Sequence, residues 1–237
     1  MTSPRISGHC DERFAPVYDA FVANFERRRE HGAGFALVVE GELVVNLWGG
    51  WRDASRTEPW EADTIVTAQS TTKGLIAGLL HWLVDQDALT WATPVSSIWP
   101  EFAGAGKRNI TVEQVLCHSA GLCVVDAPLP AGATLDWPVM TEALERQAPV
   151  WTPGQSFGYH AVTWSFLVGE IIRRVSGSTM SSLFENVFAG PWSLDFHLGL
   201  PDGADGRTAQ FLTPTDGRAG YPPGDETRWR ARAFKVC

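Results

Sequence analysis

The stretch from Leu75 to Val84 is apolar at almost every position. A helix of this composition must be buried over most of its circumference, so we expect it to be the central helix of a domain. The rest of the chain must then supply the surfaces that cover this helix. Its first turn, which begins near Ser70, is the polar exception.

Ser70 and Lys73 stand in that first turn. They are three residues apart, so on a helix they share a face and can form a hydrogen bond. The N-terminus of a helix favours negative charge on a hydroxyl, which suits Ser70 to the role of a nucleophile. A lysine that enters an apolar helix loses water, so Lys73 is able to accept a proton or stabilise an anion. The alternative is structural: Ser70 caps the helix and Lys73 stays solvated.

Composition limits the class of protein and its partners. With 237 residues, 44% of them hydrophobic, the chain is long enough for one large domain or two small ones. No stretch approaches the roughly 20 apolar residues of a membrane span, and Met1–Cys10 has no apolar segment of a secretion signal. We therefore expect a cytoplasmic protein without a membrane partner. The net charge of −8, without a basic stripe, argues against a nucleic-acid partner.

The four cysteines indicate neither a disulfide framework nor a metal site. Without a signal peptide, so few cysteines in a chain of this length are not expected to pair. Cys117 and His118, with Cys123 and Asp126 beyond them, have a spacing that matches no zinc pattern, and no second cluster accompanies them. We expect no metal and no other cofactor. The sequence leaves the oligomeric state open.

One hairpin and several helices are predicted around the central helix. Phe14 to Phe25 follow helical spacing, and apolar runs on both sides of Glu40-Gly41 indicate a hairpin. Thr111 to Gln114 has the pattern of a capping box, which starts a short helix. Further helices are predicted at about 140–146, 162–175 and 180–188. The segment 93–109 is predicted to be irregular, and the only later strand is predicted at 209–212. Because two strands cannot bury themselves, we expect the sheet to be incomplete.

Ser119 is a second candidate nucleophile. Cys117-His118-Ser119-Ala120-Gly121 nearly matches G-x-S-x-G, the nucleophile elbow of α/β-hydrolases. However, Cys117 replaces the first glycine of that motif. The elbow also needs a strand before the serine and a helix after it, whereas here a predicted helix precedes and a loop follows. The context therefore argues against Ser119 as the nucleophile.

Tyr159 follows a glycine-punctuated loop that begins at Pro153-Gly154, just before a predicted buried helix. A tyrosine in this position can project into a cleft, and its phenol ionises more readily beside a lysine ammonium. The alternative is a tyrosine packed at the start of a helix, which is the commoner situation for this residue type. The chain has only three tyrosines, which makes Tyr159 a notable candidate.

Taken in order, these motifs resemble one family. Ser70-Thr71-Thr72-Lys73 on a buried helix, then Val112 to Leu122, then Pro153-Gly154 followed by Tyr159, resemble the serine β-lactamase and penicillin-binding-protein superfamily. The most similar branch is the class C-like group, with β-lactamase-like esterases of family VIII and D-alanyl-D-alanine carboxypeptidases. The resemblance covers about residues 14–200. It implies a mixed α/β (α+β) fold, in which an antiparallel sheet is flanked by helices and accompanied by a helical subdomain.

The resemblance also implies roles for the site residues. Ser70 would be the acylated nucleophile, Lys73 and Tyr159 the coupled base pair, and Ser119 part of a structural signature. The implied activity is that of a serine carboxylesterase on small carboxylic esters, which needs no cofactor. A β-lactamase or D-alanyl-D-alanine carboxypeptidase with the same site remains an alternative, and so does a catalytically impaired, truncated homologue or fragment.

Two departures from the family bear on substrate and activity. The family's tyrosine motif commonly reads Tyr-x-Asn, but Ala161 stands in the third place, which favours esters over β-lactams and peptides. Nothing after Leu200 matches the family's C-terminal motif, whose strand lends an oxyanion-hole N–H group, and losing one such donor costs about 10²–10³ in rate. The chain thus looks shortened. We predict a β-lactamase-like domain over 1–200, with a helical region at about 67–190 inserted after a helix and hairpin at 12–50, and an irregular tail at 201–237.

Overall fold

The computed structural model describes residues 5–212. These residues divide into two compact units, one formed by 5–67 with 200–212 and the other by 68–199. The first unit contains a sheet and one helix, whereas the second is helical. Most of the predicted irregular tail, residues 213–237, lies outside the described residues. The predicted domain limits stay a prediction.

The sheet of the first unit has three antiparallel strands. Strand β3 (Glu42–Gly50) lies in the middle, between β1 (Ile6–Cys10) and β2 (Gly32–Val39). Strands β2 and β3 form the predicted hairpin, and its two turn residues both have positive φ, 53° at Glu40 and 86° at Gly41. Two such residues form the mirror-image turn that matches the natural twist of paired strands.

Helix α1 (Ala15–Arg27) covers the sheet of this unit. Its Phe21 and Phe25 pack edge to face, with ring centroids 5.3 Å apart, and they share a core with Val45 and Leu47 of β3. The apolar spacing of the sequence predicted this helix, and the structure confirms it. Burial of the two rings holds helix and sheet together.

Strand β1 was missed by the sequence analysis, which predicted two strands. Its sequence, Ile6-Ser7-Gly8-His9-Cys10, has little of the β-branched and aromatic character that marks a strand. Gly8 has φ of +110°, and a Cβ there would lie 1.9 Å from the carbonyl oxygen of Asn46 on β3. The glycine that weakens the sequence signal is therefore what lets the strand pair.

The strand predicted at 209–212 is wrong. Thr208 forms only an isolated parallel bridge with Ile65, and the Ala209 N–H donates to the Ile65 carbonyl at 2.8 Å. A single bridge satisfies these backbone groups without a ladder. Within residues 5–212, the sheet thus consists of β1, β3 and β2 alone.

The second unit contains seven α-helices within residues 68–199. They are α2 (Thr72–Asp85), α3 (Val95–Ile98), α4 (Val112–Leu116), α5 (Trp137–Arg146), α6 (Thr163–Ser176), α7 (Met180–Phe184) and α8 (Gly190–Trp192). The segment 93–109, predicted to be irregular, holds α3 and the 3₁₀ turn Pro100–Ala103. No helix of the described chain combines the length and apolar character needed to cross a membrane.

Local signals fix the ends of these helices. Thr111 and Gln114 form the predicted capping box at the start of α4, with each side chain bonded to the other residue's backbone N–H. Asp136 caps α5 by accepting from the Val139 N–H. Helix α6 ends at Gly177, whose φ of +69° is the left-handed conformation of a helix C-terminus.

Helix α2 is the predicted central helix. Only Gly74, His81 and Asp85 are exposed along it, so most of its circumference is at least partly covered. Its buried residues share the core of the second unit with residues of α4, α5 and α6; they are Ile76, Leu79, Leu80 and Leu83. Helix α2 is thus a buried support, and Ser70 and Lys73 lie at its N-terminal end.

Candidate active site

Ser70 lies in the 3₁₀ turn Gln69–Thr71, which leads directly into α2. The residue before it, Gln69, has φ of +49°, a left-handed conformation that is unfavourable for a residue other than glycine. Such backbone strain is concentrated at functional sites, where surrounding contacts hold it in place. The turn presents Ser70 as an exposed residue at the start of a buried helix.

Lys73 is half-buried in the first turn of α2 and joins several groups. Its Nζ lies 3.4 Å from Ser70 Oγ and donates to the Ala161 carbonyl at 3.0 Å. It also lies 5.2 Å from the ring centroid of Tyr159 and 5.8 Å from that of Trp164, which are cation–π distances. The ammonium therefore links the serine to the loop that carries Tyr159.

The structure brings the three predicted residues into one region but does not join all of them by hydrogen bonds. Ser70 and Lys73 are in contact, and the ring of Tyr159 lies beside the lysine. Among the described residues, the Tyr159 hydroxyl forms no hydrogen bond with Ser70 or Lys73. Their roles as nucleophile and base pair thus stay a proposal.

The loop that carries Tyr159 is held by His118. The His118 carbonyl accepts from the Gly158 N–H at 3.1 Å, and its Nδ1 accepts from the His160 N–H at 3.0 Å. These two bonds fix the backbone on both sides of Tyr159. The imidazole of His118 also lies against the Tyr159 ring, with centroids 4.9 Å apart.

His118 is itself in an unusual state. Its φ is +60°, and burial, with a smaller contribution from the charge of Lys73, lowers its pKa from 6.5 to about 4. The ring is therefore neutral at pH 7. Because Nδ1 accepts a hydrogen bond from His160, the proton of the neutral ring belongs on Nε2.

His160, fully buried, anchors the other side of the loop. Its Nε2 accepts from the Leu122 N–H at 2.9 Å and its Nδ1 donates to the Gly158 carbonyl. Burial lowers its pKa to about 4, and the neighbouring His118 adds to this effect, although the bond to Gly158 opposes it. The two histidines thus form a neutral scaffold under Tyr159.

A pocket of about 240 Å³ opens beside Ser70 and Lys73. Its walls come from the start of α2, from Ala161 and from the first turn of α6, where Trp164 and Ser165 lie. Trp164 is buried, and its indole N–H donates to the Leu116 carbonyl at 3.1 Å, which fixes the ring. A small substrate can therefore reach the serine against a rigid wall.

Ser119 has a structural environment. It follows helix α4, and its hydroxyl donates to the Gln114 carbonyl at 3.2 Å. Its own carbonyl accepts from the Gly154 N–H at 3.0 Å and from the indole N–H of Trp151 at 3.1 Å. The residue ties two loops together, and the strand–turn–helix context of a nucleophile elbow is not present at this position.

The sequence analysis did not identify His118 or Trp164 as site residues. His118 was considered only as a possible metal ligand and as a member of the segment around Ser119, and Trp164 lay unremarked in a predicted helix. Both become site residues through contacts with Lys73 and Tyr159. In the described part of the chain, no cluster of three or more His, Cys, Asp or Glu side chains is arranged to hold a metal ion.

Comparison with known proteins places the chain in a family. The Beta-lactamase family model matches residues 18–233. Esterase/beta-lactamase LipL of Mycobacterium tuberculosis (strain ATCC 25618 / H37Rv) is 38% identical over 218 residues, which cover 90% of this chain and 49% of that protein. This chain thus spans about half the length of that curated relative.

Solved structures agree with the family match. A penicillin-binding protein homologue from Caulobacter crescentus has a TM-score of 0.86 at 42% identity, over 89% of this chain and 57% of that chain. A family VIII carboxylesterase has a TM-score of 0.81 at 40% identity, over 88% of this chain and 57% of that chain. The β-lactamase/transpeptidase-like fold inferred from the motifs is thereby confirmed. The chain belongs to the beta-lactamase family.

Proposed function

We propose that the chain is a serine hydrolase that cleaves small carboxylic esters through an acyl-enzyme on Ser70. The observation that carries the proposal is the approach of Lys73 Nζ to Ser70 Oγ, 3.4 Å, at the wall of a pocket. The names of two similar proteins, an esterase/beta-lactamase and a family VIII carboxylesterase, support it.

The first half-reaction forms the acyl-enzyme. The Tyr159 phenolate, stabilised by the Lys73 ammonium beside its ring, takes the proton of the Ser70 hydroxyl. Ser70 Oγ attacks the ester carbonyl carbon, and the oxyanion develops near the Ser70 backbone N–H. The bond to the alcohol oxygen then breaks, and the proton passes from Tyr159 to the departing alkoxide.

The second half-reaction reverses the proton transfers. A water molecule gives a proton to the Tyr159 phenolate and attacks the acyl carbon, and the acid leaves as the proton returns to Ser70 Oγ. This relay needs the Tyr159 hydroxyl within hydrogen-bond distance of Ser70. Catalytic hydrogen bonds that are long in a free enzyme commonly tighten in the substrate complex.

Ala161 supports an ester as substrate. Its carbonyl already accepts a hydrogen bond from Lys73, and its side chain is a methyl group. The position therefore offers no side-chain amide to pair with the amide of a β-lactam or a peptide. An ester has no N–H group, so alanine in place of the family's asparagine removes no hydrogen bond to it.

β-Lactam or D-alanyl peptide hydrolysis at the same serine is the second candidate. The names of two similar proteins, an esterase/beta-lactamase and a penicillin-binding protein homologue, favour it. Nitrocefin and a nitrophenyl butyrate ester, given to the same preparation, separate the two activities. We expect kcat/KM for the ester to exceed that for nitrocefin, and the reverse order would favour the β-lactamase.

Three variants of the full chain test the site. Ser70→Ala should reduce ester hydrolysis by about 10³-fold or more, as expected for a lost nucleophile. Tyr159→Phe should reduce it by about 10²–10⁴-fold, the usual contribution of a general base. Ser119→Ala is the matched control and should keep the activity, because the Ser119 hydroxyl only bonds the Gln114 carbonyl. Unchanged rates in Ser70→Ala would refute the proposal.

A fluorophosphonate probe tests for a catalytically impaired homologue. An activated serine reacts with the probe even if turnover of a particular ester is slow. Mass spectrometry should locate the adduct on Ser70 and find none on Ser119. If neither an adduct nor ester turnover were found, the chain described here would be a non-catalytic member of the family.

A further inference from the structure

A second, larger cavity lies in the helical unit, between α2, α5, α6 and α7. It has a volume of about 500 Å³, which is within the range of pockets that bind small organic molecules. Most of its wall is apolar and comes from Ile76, Trp137, Trp164, Met180 and Leu198. The roles proposed for Ser70, Lys73 and Tyr159 do not use this cavity.

The cavity adjoins the pocket at Ser70. Thr72 and Ile76 of α2, with Trp164 and Ser165 of α6, line both spaces. A ligand that runs from Ser70 into the larger cavity has to pass these four side chains. The smaller pocket holds the polar groups Ser70 and Lys73, whereas the larger cavity is mostly apolar, although Arg173, Thr179 and Ser181 also line it.

The walls of the cavity are preformed. The indole N–H of Trp137 donates to Glu170 at 2.9 Å, and that of Trp164 donates to the Leu116 carbonyl. Gly169 lets Trp137 and Met180 pack closely on α6, since a Cβ at this position would lie 2.4 Å from the Trp137 ring and 2.8 Å from Met180. A site with fixed aromatic walls loses little entropy when it binds an apolar group.

We propose that this cavity binds the hydrocarbon chain of the acyl group, and that the preferred substrates are esters of medium-chain acids such as hexanoate and octanoate. This inference rests on the proposed function. The acyl chain is the better occupant because it stays bonded to Ser70 through both half-reactions, so its binding can support acylation and deacylation. The alcohol, in contrast, has to leave between them.

Chain length is the first test. In a series of nitrophenyl esters, kcat/KM should rise by about fourfold for each methylene from acetate until the cavity is filled, the factor expected for burying one methylene group. A series of acetates of longer alcohols should show little change. A flat acyl series overturns the proposal, and a rise confined to the alcohol series assigns the cavity to the alcohol and overturns it too.

A pair of variants on α7 is the second test. Ser181 is exposed and lines the cavity, whereas its neighbour Ser182 is also exposed but does not line it. Ser181→Trp places an indole at the rim and should lower the octanoate-to-acetate ratio of kcat/KM by about tenfold or more. Ser182→Trp carries the same change on the same helix and should leave the ratio unaltered. Equal ratios in the two variants would contradict the assignment.

Direct binding separates this inference from the proposed function. Isothermal titration calorimetry of the full chain with sodium octanoate should show binding at least about tenfold tighter than with butyrate, and Ser181→Trp should abolish the difference. If no ester is hydrolysed but octanoate binds in this way, the proposed function and the substrate preference fail, and only the binding of a medium-length hydrocarbon chain in the cavity stands. If esters are hydrolysed but octanoate does not bind more tightly than butyrate, only the cavity assignment fails.

Discussion

His118 determines where Tyr159 stands, although it was not a predicted site residue. Its Nδ1 accepts from the His160 N–H and its carbonyl from the Gly158 N–H, so it holds the backbone on both sides of the tyrosine. We predict that His118→Ala reduces kcat for ester hydrolysis by about ten- to hundredfold, since a displacement of about 1 Å has an effect of this size.

His118→Asn is the matched variant for that prediction. Asparagine tolerates the left-handed conformation at φ of +60°, and its amide oxygen can replace Nδ1 as the acceptor. It should restore most of the rate lost in His118→Ala. Melting temperatures of both variants show whether the loss comes from unfolding. A full loss in the asparagine variant, with the fold intact, would contradict a positioning role.

Local sequence identified part of the candidate site. Ser70 and Lys73 could be paired from spacing alone, because one helical turn fixes their separation, and the structure places them 3.4 Å apart. Tyr159 was found as a conspicuous residue in a loop. Its place beside Lys73 depends on contacts between segments 86 residues apart, which no local pattern encodes. The bond from Lys73 to the Ala161 carbonyl was not predictable, since a carbonyl carries no residue signature.

Glu170 of α6 organises a larger part of the helical unit. Its buried carboxylate accepts from Arg173 and Arg174 of its own helix and from the Trp137 indole on α5. Arg174 also pairs with Glu101 in the 3₁₀ turn Pro100–Ala103. Burial raises the pKa of Glu170, but the hydrogen bonds from Arg173, Trp137 and Arg174 outweigh it and hold the pKa at about 2.

We predict that Glu170→Gln lowers the free energy of unfolding by about 3 kcal/mol. Glu170 pairs with two guanidinium groups, but both keep contact with water, so we expect the low end of the cost of breaking a buried ion pair. Urea denaturation at pH 7 measures the change. The control is Glu142→Gln, which removes an exposed pair with Arg146 at 3.8 Å and should cost less than about 0.5 kcal/mol. Similar losses in both variants would contradict a larger contribution of the buried Glu170 carboxylate to the free energy of unfolding.

Helices were easier to predict than strands in this chain. Helices α1, α2 and α6 follow from apolar spacing, and the capping box of α4 follows from Thr111 and Gln114. Strand β1 has no such local pattern, because its stability comes from pairing with β3, some 40 residues away. The predicted strand at 209–212 failed for the converse reason, since β-propensity without a partner does not form a ladder.

At the scale of the whole molecule, three buried groups make stability depend on pH. Glu170 has a pKa of about 2 instead of 4.5, His160 about 4 instead of 6.5, and Lys107 about 8 instead of 10.5. For Lys107 the cause is burial, which exceeds the opposing charge of Glu145. In all three cases the folded chain holds its proton less firmly than the unfolded chain does. Each group therefore makes stability rise with pH between its two pKa values.

Mutation can show how much of the pH dependence of the unfolding free energy comes from His160. Its contribution to stability is complete above pH 6.5 and is lost as the pH falls to about 4, because the unfolded chain then takes up a proton that the folded chain does not. The shift corresponds to about 3 kcal/mol. His118 titrates over the same pH range. Because its side chain is only partly buried, it makes a smaller contribution, of the same sign, to the free energy of unfolding.

We predict that His160→Gln flattens the fall in unfolding free energy between pH 7 and pH 4.5. A glutamine side chain cannot take up a proton in this pH range. It makes only one of the two hydrogen bonds that His160 makes, so the variant should be less stable at pH 7 by about 1–2 kcal/mol. Urea denaturation at both pH values gives the difference. His9→Gln, a change at an exposed histidine of β1, is the control and should fall with pH as the unmodified chain does. A parallel fall in all three proteins would mean that the buried imidazole takes up its proton without unfolding, and that the scaffold under Tyr159 tolerates a charge.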